Sequence, residues 1–243
     1  MSPLGWLNGP LVGFDTETTS VDVETDRIVT ACIGRVDQPG PWRSTTELVA
    51  CGYPISPGAT AVHGITDERA AHGIHPIKAM AWIDLELQAA WASGAPVIIY
   101  NAPFDLTLLD REMRRHLGRP LVISGYVLDP YVLDQAMVVK RRGKRNLITT
   151  CGHYNITLTE EAAHTAGGDT HAAVRLAWAI GRKYPEIGNS SLADLQKAQA
   201  RWYVAQRENK FEWLRSQGKT PDDFNTVWPM APYPAREGAG VIS

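Results

Sequence analysis

Long apolar runs are missing from this chain. No stretch of its 243 residues approaches the ~20 that a membrane-spanning helix needs. The N-terminus also lacks a basic start followed by an apolar core. The expected location is therefore the cytoplasm, with no membrane partner. Cysteine is scarce as well: Cys32, Cys51 and Cys151 are the only three. Their number is odd and none are paired at metal-ligand spacing, which leaves no support for a disulfide framework or a zinc site. An excess of positive charge is also absent. Twenty-four Lys and Arg face 26 Asp and Glu, a net charge of −2. That argues against holding nucleic acid by bulk electrostatics, but not against a local grip on a few nucleotides. Internal repeats and low-complexity blocks are lacking too.

What is present reads as one large domain with an appendage. Leu11-Val12-Gly13-Phe14 is a short apolar run of the kind a buried strand shows. A polar turn at 20–26 leads into a β-rich stretch at 27–34, so the two strands form an antiparallel hairpin. Residues 47–49 end a third strand. The Pro- and Gly-containing segment 52–67 reads as a loop. A helix is expected over 76–93, opened by Pro76 and closed by Gly94. Val97-Ile98-Ile99-Tyr100 fits a central parallel strand. A helix follows over 104–117, then a brief strand at Val127-Leu128, and Asp129-Pro130 as an N-cap with Pro at N1. Further helices are expected over about 168–183 and over 192–217, the second polar with scattered aromatics. The order gives an α/β fold: a mixed five-stranded sheet with helices on both faces. Residues 1–185 form the main domain, and 186–243 a C-terminal helix and irregular tail.

Carboxylates stand out at the strand ends. Asp15 and Glu17, at i and i+2 of the first strand, point to the same face. Two like charges there are costly without a cation beside them. Hard oxygen ligands suit Mg²⁺ or Mn²⁺; the alternative is a solvated strand end. Asp105 follows the central strand within Asn101-Ala102-Pro103-Phe104-Asp105, where sites form in α/β folds; taken alone, it reads first as a helix cap. His164 and Asp169, five residues apart, lie about 140° apart on a regular helix. Gly167-Gly168 resolves this by starting the helix there and leaving His164 on the loop before it.

Taken in order, Asp-x-Glu, an Asp after Asn-x-x-Phe, and His-x4-Asp resemble the DEDDh exonucleases of the ribonuclease-H-like fold. The wording is most similar to the proofreading epsilon subunits of bacterial replicative polymerases and their stand-alone relatives. Val62-His63-Gly64-Ile65-Thr66 resembles a further phrase of that group, in a loop near the bound strand end. The resemblance covers about residues 8–183. It implies 3′→5′ hydrolysis of terminal phosphodiester bonds, releasing nucleoside 5′-monophosphates. It also implies two divalent ions, Mg²⁺ or Mn²⁺, held by Asp15, Glu17, Asp105 and Asp169, and His164 as general base. Thr16 and Thr18 would hold the terminal 3′-hydroxyl, and His63 and Phe104 would flank the last nucleotide. The implied partners are single-stranded or frayed 3′ ends of nucleic acid, with DNA favoured over RNA, and a polymerase or repair assembly. A non-catalytic nucleic-acid or polymerase-binding module is the competing class, and an endonuclease on the same fold a weaker one.

Other features draw plainer readings. The basic run Lys140-Arg141-Arg142-Gly143-Lys144-Arg145 reads as a solvated loop, or as a contact to strand phosphates. Asp129 reads as a helix cap and Asp134 has no motif around it. His171 reads as structural or exposed, His153 as structural, His72 and His75 as solvated, and His116 as a helix-closing cation.

Overall fold

The computed structural model describes residues 5–159, 163–220 and 225–234. A five-stranded sheet has the order β3-β2-β1-β4-β5. The strands are β1 (Leu11–Thr18), β2 (Ile28–Val36), β3 (Arg43–Leu48), β4 (Val97–Ile98) and β5 (Val127–Leu128). β1, β2 and β3 pair antiparallel, and β4 and β5 join parallel to β1. The mixed sheet and its hairpin agree with the sequence reading.

β1 is buried on both faces, and its alternation assigns each side chain to a layer. Val12 and Phe14 pack with Met80, Ile83 and Leu87 of α3 (Pro76–Ala92) and with Leu106 and Leu109 of α4 (Ala102–Leu117). Leu11 joins Ile98, Leu128 and Leu133 beneath Leu176 and Ile180 of α7 (Ala166–Lys183). Gly13 lets α7 come close. A Cβ there would stand 2.6 Å from Thr170 Cγ2 and 2.7 Å from Val174 Cγ2.

Three local expectations need correction. Within the segment read as a loop, α1 (Pro57–His63) forms, with α2 (Asp67–Ala70) starting at the segment's last residue, so His63 ends a helix instead of sitting in a loop. Ser56 caps α1 through the Ala59 amide and Thr66 caps α2 through the Arg69 amide. The helix carrying Asp105 begins at Ala102, and α7 begins at Ala166, two residues early in each case. Thr165 caps α7, so the start lies at the cap and not at the glycine pair.

The basic run is not wholly solvated. Arg141 and Arg145 turn inward to the buried Asp134 carboxylate at 2.9 and 2.5 Å, while Lys140, Arg142 and Lys144 stay exposed. α5 (Pro130–Met137) carries Asp134, and α6 (Leu147–His153) follows the basic loop. After α8 (Pro185–Gly188), the helix α9 (Leu192–Ser216) packs on α5 and β5. In the irregular tail, Trp228 is buried and its indole nitrogen lies 3.5 Å from Asp129. Among the described residues, no helix is long and apolar enough to cross a membrane.

Candidate active site

β1 delivers Asp15 and Glu17 to the face covered by α7, whose first turn supplies Asp169. One oxygen from each of these three carboxylates lies within 4.8 Å of the others. Asp169 Oδ2 accepts the His164 amide at 3.2 Å. Its Oδ1 is buried with no hydrogen-bond partner among the described residues. Asp105 comes from the opposite layer, on the first turn of α4. Its Oδ1 takes the Thr16 amide at 3.1 Å and the Thr16 hydroxyl at 2.6 Å. β4 pairs with β1 only as far as Gly13, so the Asp105 carboxylate supplies Thr16 with the partner that β4 does not. Asp105 stands outside the three-oxygen group but is felt by it.

The titration behaviour follows from this crowding. Burial holds Asp15 well above its ordinary value, and Asp105, Asp169 and Glu17 push it further. Burial, then Asp169 and Asp105, raise Glu17 to about 8. Burial raises Asp105 to about 7 against the hydrogen bonds from Thr16, and raises Asp169 to about 6 against the His164 amide. Among the described residues, none of the four carboxylates forms an ion pair with a lysine or arginine. A buried acceptor without a donor, inside a cluster of carboxylates without a cation, fits a divalent metal bound by oxygen ligands.

The remaining predicted residues surround this group. His164 is exposed and holds a left-handed backbone, φ 63°, just before α7. Such a conformation is uncommon for a residue with a Cβ and is concentrated at functional sites. His63 has both ring nitrogens occupied: Nδ1 accepts the Ile65 amide at 3.1 Å, so Nε2 carries the proton and donates to Thr18 O at 3.2 Å. It ties α1 to the end of β1 and leaves only its ring face for other contacts. The Thr18 hydroxyl donates to Ser20 O at 2.5 Å, and Phe104 is half-buried at the start of α4.

Two supports escaped the sequence reading. Asp129 does cap α5 through Tyr131, but it also accepts the Asn101 and Ala102 amides at 2.9 and 3.0 Å. It therefore braces the turn that aims Asp105. Asn101 holds φ 65° there; Asn is among the residues that tolerate this conformation, and its place before Ala-Pro was the available signal.

The family model for exonucleases of the RNase T type matches residues 12–177, a span holding all four carboxylates and His164. The chain belongs to this exonuclease family. Members of the exonuclease family are phosphodiester hydrolases. A DNA polymerase III subunit epsilon-like protein of Rhodobacter capsulatus is 34% identical over 167 residues, 66% of this chain and 22% of that one. The DNA polymerase III subunit epsilon of Treponema pallidum is 26% identical over 163 residues, 67% of this chain and 72% of that one. Exonuclease I of Methylocaldum szegediense has a similar structure, with a TM-score of 0.59 at 20% identity over 85% of this chain and 45% of its own. Escherichia coli exonuclease I in complex with a dT13 oligonucleotide gives 0.58 at 18% over 74% and 42%. At those identities the structures attest the ribonuclease-H-like fold. The chain thus spans about a fifth of its Rhodobacter relative and under half of the exonuclease I chains.

Proposed function

We propose that this protein is a metal-dependent 3′→5′ exonuclease that removes nucleoside 5′-monophosphates from single-stranded or frayed DNA ends. The reading rests on one observation above the others: Asp15, Glu17 and Asp169 converge within 4.8 Å, without a basic partner among the described residues. Asp15, Glu17, Asp105 and Asp169 hold two divalent ions, Mg²⁺ or Mn²⁺. Bound there, the ions neutralise the carboxylates and supply an activated water and charge stabilisation for the departing 3′ oxygen. His164 takes the water's proton on a ring nitrogen, from a loop position free of the helix. The oxygens of Thr16 and Thr18, whose hydroxyl protons are already donated elsewhere, accept from the terminal 3′-hydroxyl. The ring face of His63 and the Phe104 side chain flank the last base. Residues 1–185 are the catalytic domain and 186–243 its C-terminal segment. The epsilon-type relatives support work in proofreading or repair beside a polymerase, in the cytoplasm.

Digestion of a 5′-labelled single-stranded DNA oligomer, with matched RNA in parallel, tests this. Wild type with Mg²⁺ or Mn²⁺ gives a ladder shortening from the 3′ end. Asp15→Ala gives none, and His164→Ala slows the single-turnover step by about 10²–10⁴. A ladder on RNA alone moves the substrate to RNA. Intact DNA and RNA with every metal tried would remove the enzyme reading.

A further inference from the structure

A cavity of about 450 Å³ lies between α5, the basic loop and α9. β4 ends at Ile98, and Tyr100 and Asn101, both in the cavity wall, form the turn that leads into α4. The cavity therefore adjoins the start of α4, whose first turn carries Asp105.

The lining has the chemistry of a strand path. Arg145, Arg207 and Lys210 bring positive charge. Arg145 shares the Asp134 carboxylate with Arg141, so two cations against one anion leave a net positive charge at that wall. Tyr100 and Tyr131 stand edge to face with centroids 5.6 Å apart and supply aromatic surface. Gln206 donates to Val132 O at 3.0 Å, yet its Oε1 is buried without a partner among the described residues. That acceptor calls for a donor, such as a base amino group or a sugar hydroxyl. Cations interleaved with aromatic faces and amides are what a single strand of nucleic acid takes.

We propose that this cavity holds the phosphodiester backbone of the strand upstream of its 3′ end, which makes α9, beyond the residues the family model matches, part of the substrate site. The proposal rests on the exonuclease reading for its choice of ligand. The test is fluorescence anisotropy with a labelled oligothymidylate of about ten nucleotides and the matching oligouridylate, in EDTA so that nothing is cut. Lys210→Glu and Arg207→Gln are compared with wild type. On at least one oligomer, each variant weakens binding about tenfold, and the plot of log K against log salt becomes shallower by about 0.7 for each phosphate the variant no longer neutralises. Lys210 is exposed, so its variant reads charge and not folding. Unchanged affinity and slope on both oligomers would overturn the proposal, as would a wild type that binds neither. Adding Mg²⁺ to the wild type separates the two ideas. Cutting with unaltered variant affinity removes the cavity alone, whereas charge-dependent binding without cutting removes the exonuclease reading and keeps the cavity.

Discussion

Asp169 is where the site's incompleteness shows most plainly, with one oxygen on the His164 amide and the other buried and unpartnered among the described residues. Its neighbours carry the same tension as displaced titration. Glu17 rises from 4.5 to about 8, and Asp169 from 3.8 to about 6. Without metal, the folded chain keeps protons that the unfolded chain has already released. Where the native state binds more protons, stability falls as pH rises. The loss runs from the unfolded value near 4.5 up through about 8 for Glu17. In EDTA, the melting temperature is expected to fall across that window, and less steeply in Glu17→Gln. Mn²⁺ is expected to restore the wild type most at the alkaline end. Scanning fluorimetry across pH checks this, and equal slopes for wild type and variant would contradict it. The pairing of Asp15 with Glu17 was legible because strand side chains repeat every two residues. The double tether of His63 was not, because both its acceptor and its donor contacts depend on how α1 packs.

Elements were legible wherever a single local rule decided them. The apolar runs of β1 and β4, and Pro130 behind its Asp129 cap, needed no tertiary information. Helix α1 carries a comparable cap pair, Ser56-Pro57, inside a segment whose glycines and prolines read as a loop. The inward turn of Arg141 and Arg145 had no local signal, because their partner Asp134 sits on the preceding helix. The contact of β1 with α7 joins element to function, since the first carries Asp15 and Glu17 and the second Asp169. Gly13→Ala forces a methyl against Thr170 and Val174 and drives the two apart. Overpacking of this kind costs about 1–3 kcal/mol, or about 2–4 °C of melting temperature per kcal/mol for a chain of this size. Cleavage is expected to suffer more, because a misplacement of ~1 Å can cost ~10²-fold in rate. Thermal melting beside single-turnover digestion separates the two. A variant with unchanged melting and rate would show that the contact tolerates the methyl.

Across the whole molecule, the C-terminal helix does something that its polar composition concealed. β5 is an edge strand, and a bare edge leaves backbone groups unpaired. Two glutamines of α9 occupy that edge. Gln196 Oε1 accepts the Val127 amide at 3.0 Å. Gln199, fully buried, donates to Val127 O at 3.0 Å and accepts the Asp129 amide at 2.7 Å. The sequence read α9 as a polar helix with aromatics, and a buried glutamine pairing like a sixth strand lies beyond any periodicity rule. The contact extends further, because Asp129 carries the Asn101 and Ala102 amides at the start of the helix bearing Asp105. Gln199→Leu strands the Val127 carbonyl and the Asp129 amide in the interior, at about 1–3 kcal/mol each. Trp213→Ala changes a 58% exposed side chain on the same helix and is expected to stay within about 0.5 kcal/mol of wild type. Gln199 acts as a positioning residue through Asp129. Its loss is therefore expected to weaken Mn²⁺ binding as well as stability, measured by calorimetry below the melting transition. Weakened stability with unaltered metal affinity would confine α9 to closing the sheet edge, and weakening of both ties the C-terminal segment to the carboxylates through the hydrogen bonds of Asp129.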